Sequence, residues 1–341
     1  MKILFLSRLF YPHIGGVEKH VMEISKLLIQ QGHSVTIITE QFDNKLPVTE
    51  KIDEIYIYRI ETGDENSNKK FRIWKEMFRL QKLIKQADAV HCHDVFFWYL
   101  PFRFLYPRKP VYTTFHGYES YPIKKNAIKV RKLSEKLSRG NICIGDFIPK
   151  WYGTKPSYVS YGAVTVSSIK YQVLRNYKKD SAVFIGRLDE QTGALTYAKA
   201  VELVKKRYPK FEFIIVGDGK DREKIEKKYN VLGFQKDPEK YFPMYHFAFV
   251  SRYLSILEAF AAKKLVFAVY DNPVKEDYLR LAPFAKWIII EKDPEKLAEK
   301  IVYFLKNPEK EKVMIENAYS WVKGQTWENL GELYLKLWKI Q

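Results

Sequence analysis

Cysteine is nearly absent from this chain, with only Cys92 and Cys143 in 341 residues. Two cysteines without metal-ligand spacing exclude a disulfide framework and a thiolate zinc site. Both are expected to be free, buried thiols in a reducing cytoplasm. No apolar run approaches membrane-spanning length. The opening apolar stretch, Ile3 to Leu6, is too short for a signal peptide and has no small-residue cleavage site. Low-complexity tracts are missing, and so is the GxGxxG fingerprint of a dinucleotide site. The chain is too long for one ordinary core, so two domains are expected.

Positive charge, by contrast, is abundant. The formal net charge is +18, and residues 62–150 hold 18 lysines and arginines against 8 acids. Two stretches dominate, KKFRIWKEMFRLQKLIK (69–85) and KKNAIKVRKLSEKLSR (124–139), both with apolar residues at helical spacing between the charges. Such stretches suit a solvated helix face, a nucleic-acid patch or a surface that docks on anionic lipid. A solvated face is the commonest reading of any one stretch, and two of them in one half of the protein raise the reading as an anionic membrane surface. No nucleic-acid motif accompanies them, so no nucleic-acid partner is expected.

Short apolar runs alternate with helical patterns along the chain. Strands are expected at 3–6, 34–39, 55–60, 89–91, 111–115, 141–144 and 157–159. Helices are expected between them near 17–31, 70–86, 95–104 and 126–138. This βαβα order implies a parallel sheet covered by helices. The run 162–180 interrupts the pattern and reads as a linker. Strands then resume at 181–185, 211–216, 231–232, 247–250, 266–269 and 287–290. Helices are expected at 193–207, 221–228, 255–262, 294–306, 309–323 and 327–339. The fold class is therefore α/β, with two doubly wound, Rossmann-like domains facing a central cleft. The expected domains are 1–165 and 166–325, with a closing helix over 326–341.

Chemistry concentrates in a few motifs. SRLFYPHIGGVEKHV (7–21) turns from the first strand into a helix through Gly15-Gly16. Glycines there let a ligand approach the backbone, and the helix start offers free N–H groups to a phosphate. The same pair also serves a plain tight turn. VFIGRLDEQTG (183–193) ends a strand in Gly186-Arg187, where a guanidinium can fork onto phosphate oxygens. In FIIVGDGKDREKIE (213–226), Gly217 and Gly219 either make a turn or line a ligand. SILEAFAAKK (255–264) sets Glu258 beside Leu257 and Ala259, and a carboxylate among such neighbours needs hydrogen-bond donors.

Taken in order, these motifs resemble the GT-B glycosyltransferases, specifically the retaining family-4 group. The resemblance rests on Pro12, Gly15, Gly16 and Glu18 of the first loop, His116 in TTFHGYE, Gly186-Arg187-Leu188, VGDG (216–219), LGF (232–234) and Leu257-Glu258-Ala259. It implies a retaining, metal-independent hexosyltransferase with a UDP- or GDP-linked sugar as donor and no cofactor. The acceptor would be a glycan or a lipid-linked glycan, and the protein cytoplasmic or peripheral on the inner membrane face. It further implies that His116, Arg187 and Glu258 are catalytic. The donor would be bound by Gly15, Gly16, Gly186, Arg187, Gly217, Leu257 and Glu258. Asp94, in HCHD (91–94), would help position the acceptor, and the closing helix would pack back on the first domain.

Three positions depart from the family pattern. Thr192 stands where a lysine is usual after Gly-Arg-Leu. Val250 stands where the first of two paired glutamates is usual, with the loop SRYLSI (251–256) shortened. Tyr161-Gly162 replaces the usual Asn-Gly turn. Arg252 is a candidate to restore the missing charge. These departures keep open a non-catalytic GT-B-like subunit that binds a nucleotide or a partner, and the motifs also fit a different GT-B enzyme, such as a sugar-nucleotide epimerase or a soluble transferase acting on a sugar phosphate.

Overall fold

The computed structural model describes residues 1–63, 68–166 and 178–339. Two units emerge, one of residues 1–160 with the chain from Trp327 onward, the other of Tyr161–Thr326. Most of the expected linker, residues 167–177, lies outside the described residues; its last three residues already belong to a strand.

In the first unit the elements run β1 (Lys2–Ser7), α1 (Gly16–Gln30), β2 (Ser34–Glu40), β3 (Thr49–Ile52), β4 (Ile55–Ile60), α2 (Lys69–Arg79) and α3 (Gln81–Gln86). They continue with β5 (Ala89–His93), α4 (Phe96–Leu105), β6 (Val111–Phe115), α5 (Lys125–Leu137), β7 (Gly140–Ile144), α6 (Phe147–Tyr152) and β8 (Tyr158–Ser160). The sheet order is β3-β4-β2-β1-β5-β6-β7-β8. All pairings are parallel except β3 with β4, an antiparallel hairpin closed by Asp53 and Glu54 in left-handed conformations. The sequence reading missed this strand, because TEKI carries no apolar alternation and the turn is not Asn-Gly or Asp-Gly. It also joined α2 and α3 into one helix over 70–86, whereas the helix breaks at Leu80.

Alternation along the strands separates the two faces of this sheet. Leu4 and Leu6 of β1 join Val90 and Cys92 of β5 under Ile73, Met77, Ile84, Trp98 and Phe102 of α2, α3 and α4. Phe5, on the opposite face, packs edge-on against His93. Burying both faces of parallel strands is what their unbroken apolar runs require. Both cysteines are free and buried.

The second unit runs β9 (Lys178–Ile185), α7 (Ala194–Lys205), β10 (Glu212–Val216), α8 (Arg222–Ile225), β11 (Asn230–Val231), β12 (Tyr245–Phe249) and α9 (Tyr253–Ala261). It ends with β13 (Leu265–Val269), α10 (Pro273–Arg280), β14 (Ile288–Glu291), α11 (Pro294–Lys306) and α12 (Pro308–Val322). Its six strands are all parallel, in the order β11-β10-β9-β12-β13-β14. The core gathers Phe184, Tyr197, Val201, Ile215, Phe249, Phe267 and Ile301 from β9, α7, β10, β12, β13 and α11. The helix expected at 221–228 is only the single turn α8. The sequence reading gave no helix where α6 and α10 stand. The last helix, α13 (Trp327–Trp338), belongs to the first unit. It lies against α1, where a Cβ on Gly331 would fall 2.1 Å from a methyl of Leu27.

Candidate active site

At the C-terminal end of the first unit's sheet, the strands bring histidines together. His91 and His93 stand two residues apart on β5 and so share one face. His116 follows β6, and His20 faces inward from α1, 5% exposed. The His20 ring lies edge-on to that of His116 with centroids 4.8 Å apart, and His93 Nδ1 is 2.9 Å from His116 Nε2. Burial drives the pKa of His20 down to about 3 and those of His91, His93 and His116 well below the ordinary value. All four rings are therefore neutral at pH 7.

His20, His93 and His116 each offer a nitrogen within 4.8 Å of the others, the geometry from which a metal site is built. Two nitrogens on one tetrahedral zinc stand about 3.3 Å apart at ordinary bond lengths. The 2.9 Å between His93 and His116 is instead a hydrogen bond, and His20 commits Nε2 to the Tyr334 hydroxyl at 2.8 Å. The cluster is arranged as hydrogen-bonded imidazoles.

Asp94 ends β5 with φ of 61°, a left-handed conformation that aspartate tolerates better than most residues. Its carboxylate accepts the backbone N–H of His116 at 3.1 and 3.2 Å. Desolvation raises the Asp94 pKa to about 6, while Arg131 and that N–H pull it down. Arg131 is buried under the site. It lies 3.8 Å from Asp94 and 3.0 Å from Glu119, with its guanidinium 3.9 Å over the Tyr152 ring. It falls within the basic stretch 124–139, yet it serves the site rather than the surface. Asp94 and His116 are thus brought together, whereas His20, His91, His93 and Arg131 were not singled out in the sequence.

Gly15 caps α1 in an extended conformation, without a side-chain cap. A Cβ on Gly16 would meet nothing within 4 Å, so its face is open to a ligand. The Glu18 carboxylate folds back to Gly15 and pairs with His13 at 3.1 Å.

In the second unit, Gly186 and Arg187 follow β9. A Cβ on Gly217, where φ is +148°, would fall 1.8 Å from the Gly186 carbonyl oxygen. Close packing of two strand ends therefore requires glycine at 217. Arg187 extends largely into solvent, 3.3 Å from Asp189 and 3.4 Å from Gln191 Oε1. Arg252 donates to the same Gln191 oxygen at 2.5 Å. Lys275, fully buried at the start of α10, donates to the Ser251 carbonyl and lies 4.1 Å over the Tyr278 ring. Burial, then the charge of Arg252, pushes its pKa well below the ordinary value. Sequence reasoning missed this lysine because nothing around it marks it as buried.

The structure accounts for two of the departures. Thr192 closes a capping box with Asp189 over a short 3-10 turn, and its hydroxyl donates to the Arg187 carbonyl. Val250 is fully buried beside β13, its N–H bonded to the Phe267 carbonyl. Glu258, on α9, is only 3% exposed, with Leu257 fully buried beside it. At the altered turn, Gly162 takes φ of +90°, and a Cβ there would lie 3.8 Å from a methyl of Leu257.

Two parallel, doubly wound units with cations at the strand ends of one and a histidine cluster at those of the other define a class, the GT-B glycosyltransferases. Residues 14–148 match the family model of Glycosyltransferase Family 4, and residues 167–321 that of Glycosyl transferases group 1. The chain belongs to this family-4, group-1 type. It is 25% identical over 258 residues to a GalNAc-alpha-(1->4)-GalNAc-alpha-(1->3)-diNAcBac-PP-undecaprenol alpha-1,4-N-acetyl-D-galactosaminyltransferase of Campylobacter jejuni, covering 70% of this chain and 67% of that one. A 58-residue stretch is 38% identical to the phosphatidylinositol N-acetylglucosaminyltransferase GPI3 subunit of Saccharomyces cerevisiae, covering 17% of this chain and only 13% of that protein. In fold it is similar to Anabaena HepE, solved in complex with UDP and glucose, with a TM-score of 0.75, 15% identity and 99% of both chains covered.

Proposed function

We propose that this glycosyltransferase moves a hexose from a UDP- or GDP-linked donor to a lipid-linked glycan, with retention and without a metal ion. The observation that carries this reading is the pair Arg187 and Arg252, meeting on Gln191 at the ends of parallel strands. Breaking the sugar–phosphate bond leaves negative charge on the nucleoside diphosphate. Two guanidiniums stabilise that charge without proton transfer. Arg252 supplies the cation that Thr192 does not. Gly15, Gly16 and Gly186 let the donor approach the backbone, with Gly217 holding the Gly186 turn. Glu258 accepts hydrogen bonds from the ribose hydroxyls, with Leu257 packed beside it.

His116, neutral and held by Asp94, hydrogen-bonds the transferred sugar or the acceptor. The β-phosphate oxygen takes the acceptor's proton as the new glycosidic bond forms on the face that the phosphate leaves. The names of two relatives support a lipid-linked acceptor, since one names an undecaprenol-linked glycan and the other phosphatidylinositol. The outer surface of the first unit supports it too. Phe71 of α2 and Phe104 of α4 are 66% and 69% exposed, with Val130 and Leu133 of α5 also exposed among lysines. Basic helices with protruding aromatic residues suit docking on anionic lipid. Among the described residues no helix is long and apolar enough to cross a membrane.

The test is transfer from labelled UDP- and GDP-sugars to polyprenol-diphosphate glycans in anionic vesicles. Turnover lost in Arg187→Ala supports the reading. Nucleotide binding without turnover on any acceptor favours a non-catalytic role.

A further inference from the structure

Five buried side chains link the C-terminal helix to the candidate active site: Trp338, His91, Thr114, Tyr334 and His20. Trp338 Nε1 donates to His91 Nδ1 at 3.1 Å. His91 Nε2 meets Thr114 Oγ1 at 2.8 Å, Thr114 Oγ1 meets the Tyr334 hydroxyl at 2.9 Å, and that hydroxyl meets His20 Nε2 at 2.8 Å. Indole is the one member that can only donate. His91 Nδ1 must therefore be a lone pair, and the single proton of this neutral ring sits on Nε2. That proton goes to Thr114. The one Thr114 proton then goes to Tyr334, and the one Tyr334 proton to His20 Nε2. His20 is left with its own proton on Nδ1. Reversing the chain would bring two N–H groups face to face between Trp338 and His91 in a dry interior, where unmade hydrogen bonds are costly.

We propose that Trp338 and Tyr334 are positioning residues that fix the tautomers of His91 and His20, making His20 a permanent Nδ1–H donor beside His116. A ring whose uncommitted polar atom is an N–H suits an oxygen acceptor, such as a sugar hydroxyl or a phosphate oxygen. The consequence for turnover rests on the function proposed above; the tautomers do not.

Two-bond proton–nitrogen correlation spectra of the full chain with ¹⁵N-histidine test the proposal at neutral pH. The wild type is expected to show His91 as the pure Nε2–H form and His20 as the pure Nδ1–H form. Trp338→Phe keeps an aromatic ring but removes the N–H, and both rings are expected to relax to tautomer mixtures. Tyr334→Phe is expected to release His20 while His91 stays fixed. A wild-type spectrum with His91 protonated on Nδ1, or His20 on Nε2, overturns the proposal whether or not the protein transfers any sugar, and it decides the matter even if the variants do not fold. Where transfer is measurable, Trp338→Phe is expected to lower kcat about tenfold with the donor KM unchanged. Full kcat with released tautomers would refute the positioning role.

Discussion

Arg187 and Arg252 point their guanidiniums at one oxygen, Gln191 Oε1, from 3.4 and 2.5 Å. Two like charges converge there, and Asp189 lies 3.3 Å from the first of them. Two guanidiniums so close together suit an anion between them, and a diphosphate is the anion that the proposed reaction supplies.

Removing either arginine should slow transfer. Loss of one charged group that stabilises the leaving oxygens costs on the order of 2.7–4 kcal/mol of barrier, or 10²- to 10³-fold in kcat. Arg187→Ala is expected in that range. Arg252→Gln should also lower kcat, and the double variant should lose less than the product of the two, because both act on one group. Steady-state kinetics on the four proteins measures this; an unchanged kcat in Arg252→Gln would remove it from the mechanism.

Restoring the family's lysine should not help. Thr192→Lys breaks the capping box with Asp189 and forces a long side chain into a buried position. Loss of a cap alone costs about 1 kcal/mol. The variant is expected to melt several degrees lower without gaining activity. A stable, faster enzyme would show that Thr192, and not Arg252, governs the missing charge.

Acid should destabilise the first unit steeply. His20, His91 and His93 stay neutral when folded, with pKa values depressed by burial, and take up protons near pH 6.5 when unfolded. The unfolded state then binds more protons below pH 6.5, so stability falls as pH drops from there toward the folded pKa, about 3 for His20. Well inside that window each buried histidine contributes about 1.4 kcal/mol per pH unit. Urea unfolding between pH 7 and 5 measures the slope. His91→Gln should flatten it, and a flat wild-type profile would contradict the neutral cluster.

Asp94 should set the acidic limb of activity. Its pKa is raised to about 6 by desolvation, so it loses its charge below that pH. The carboxylate holds the backbone N–H of His116 and faces Arg131. Turnover is therefore expected to rise with pH through about 6, while Asp94→Asn, lower throughout, should lose that inflection. An inflection that persists in the variant would assign it to another group.

The fold was legible because parallel strands buried on both faces must be short apolar runs, and nearly all of them stood out. The β3–β4 hairpin did not, since its turn uses Asp53 and Glu54 in place of glycine. Arg187 and Glu258 were marked by their neighbours, at a strand end and among small apolar residues. Apart from His116, the histidine cluster was not marked. Spacing puts His91 and His93 on one face, but only the sheet order brings β6 beside β5, and so His116 beside His93. The same limit hid Arg131, whose helical spacing resembles that of the exposed lysines around it. Sequence showed that Thr192 departs from the family; the capping box shows what it does instead.

The central claim is a nucleotide-sugar donor site in the second unit, and calorimetry tests it most directly. UDP, GDP, ADP and their sugar conjugates would be titrated into the wild type, Arg187→Ala and Glu258→Ala. The account predicts selective binding of UDP or GDP and its sugar, weakened at least tenfold in both variants. No binding by any nucleotide, or binding that both variants keep in full, would contradict it.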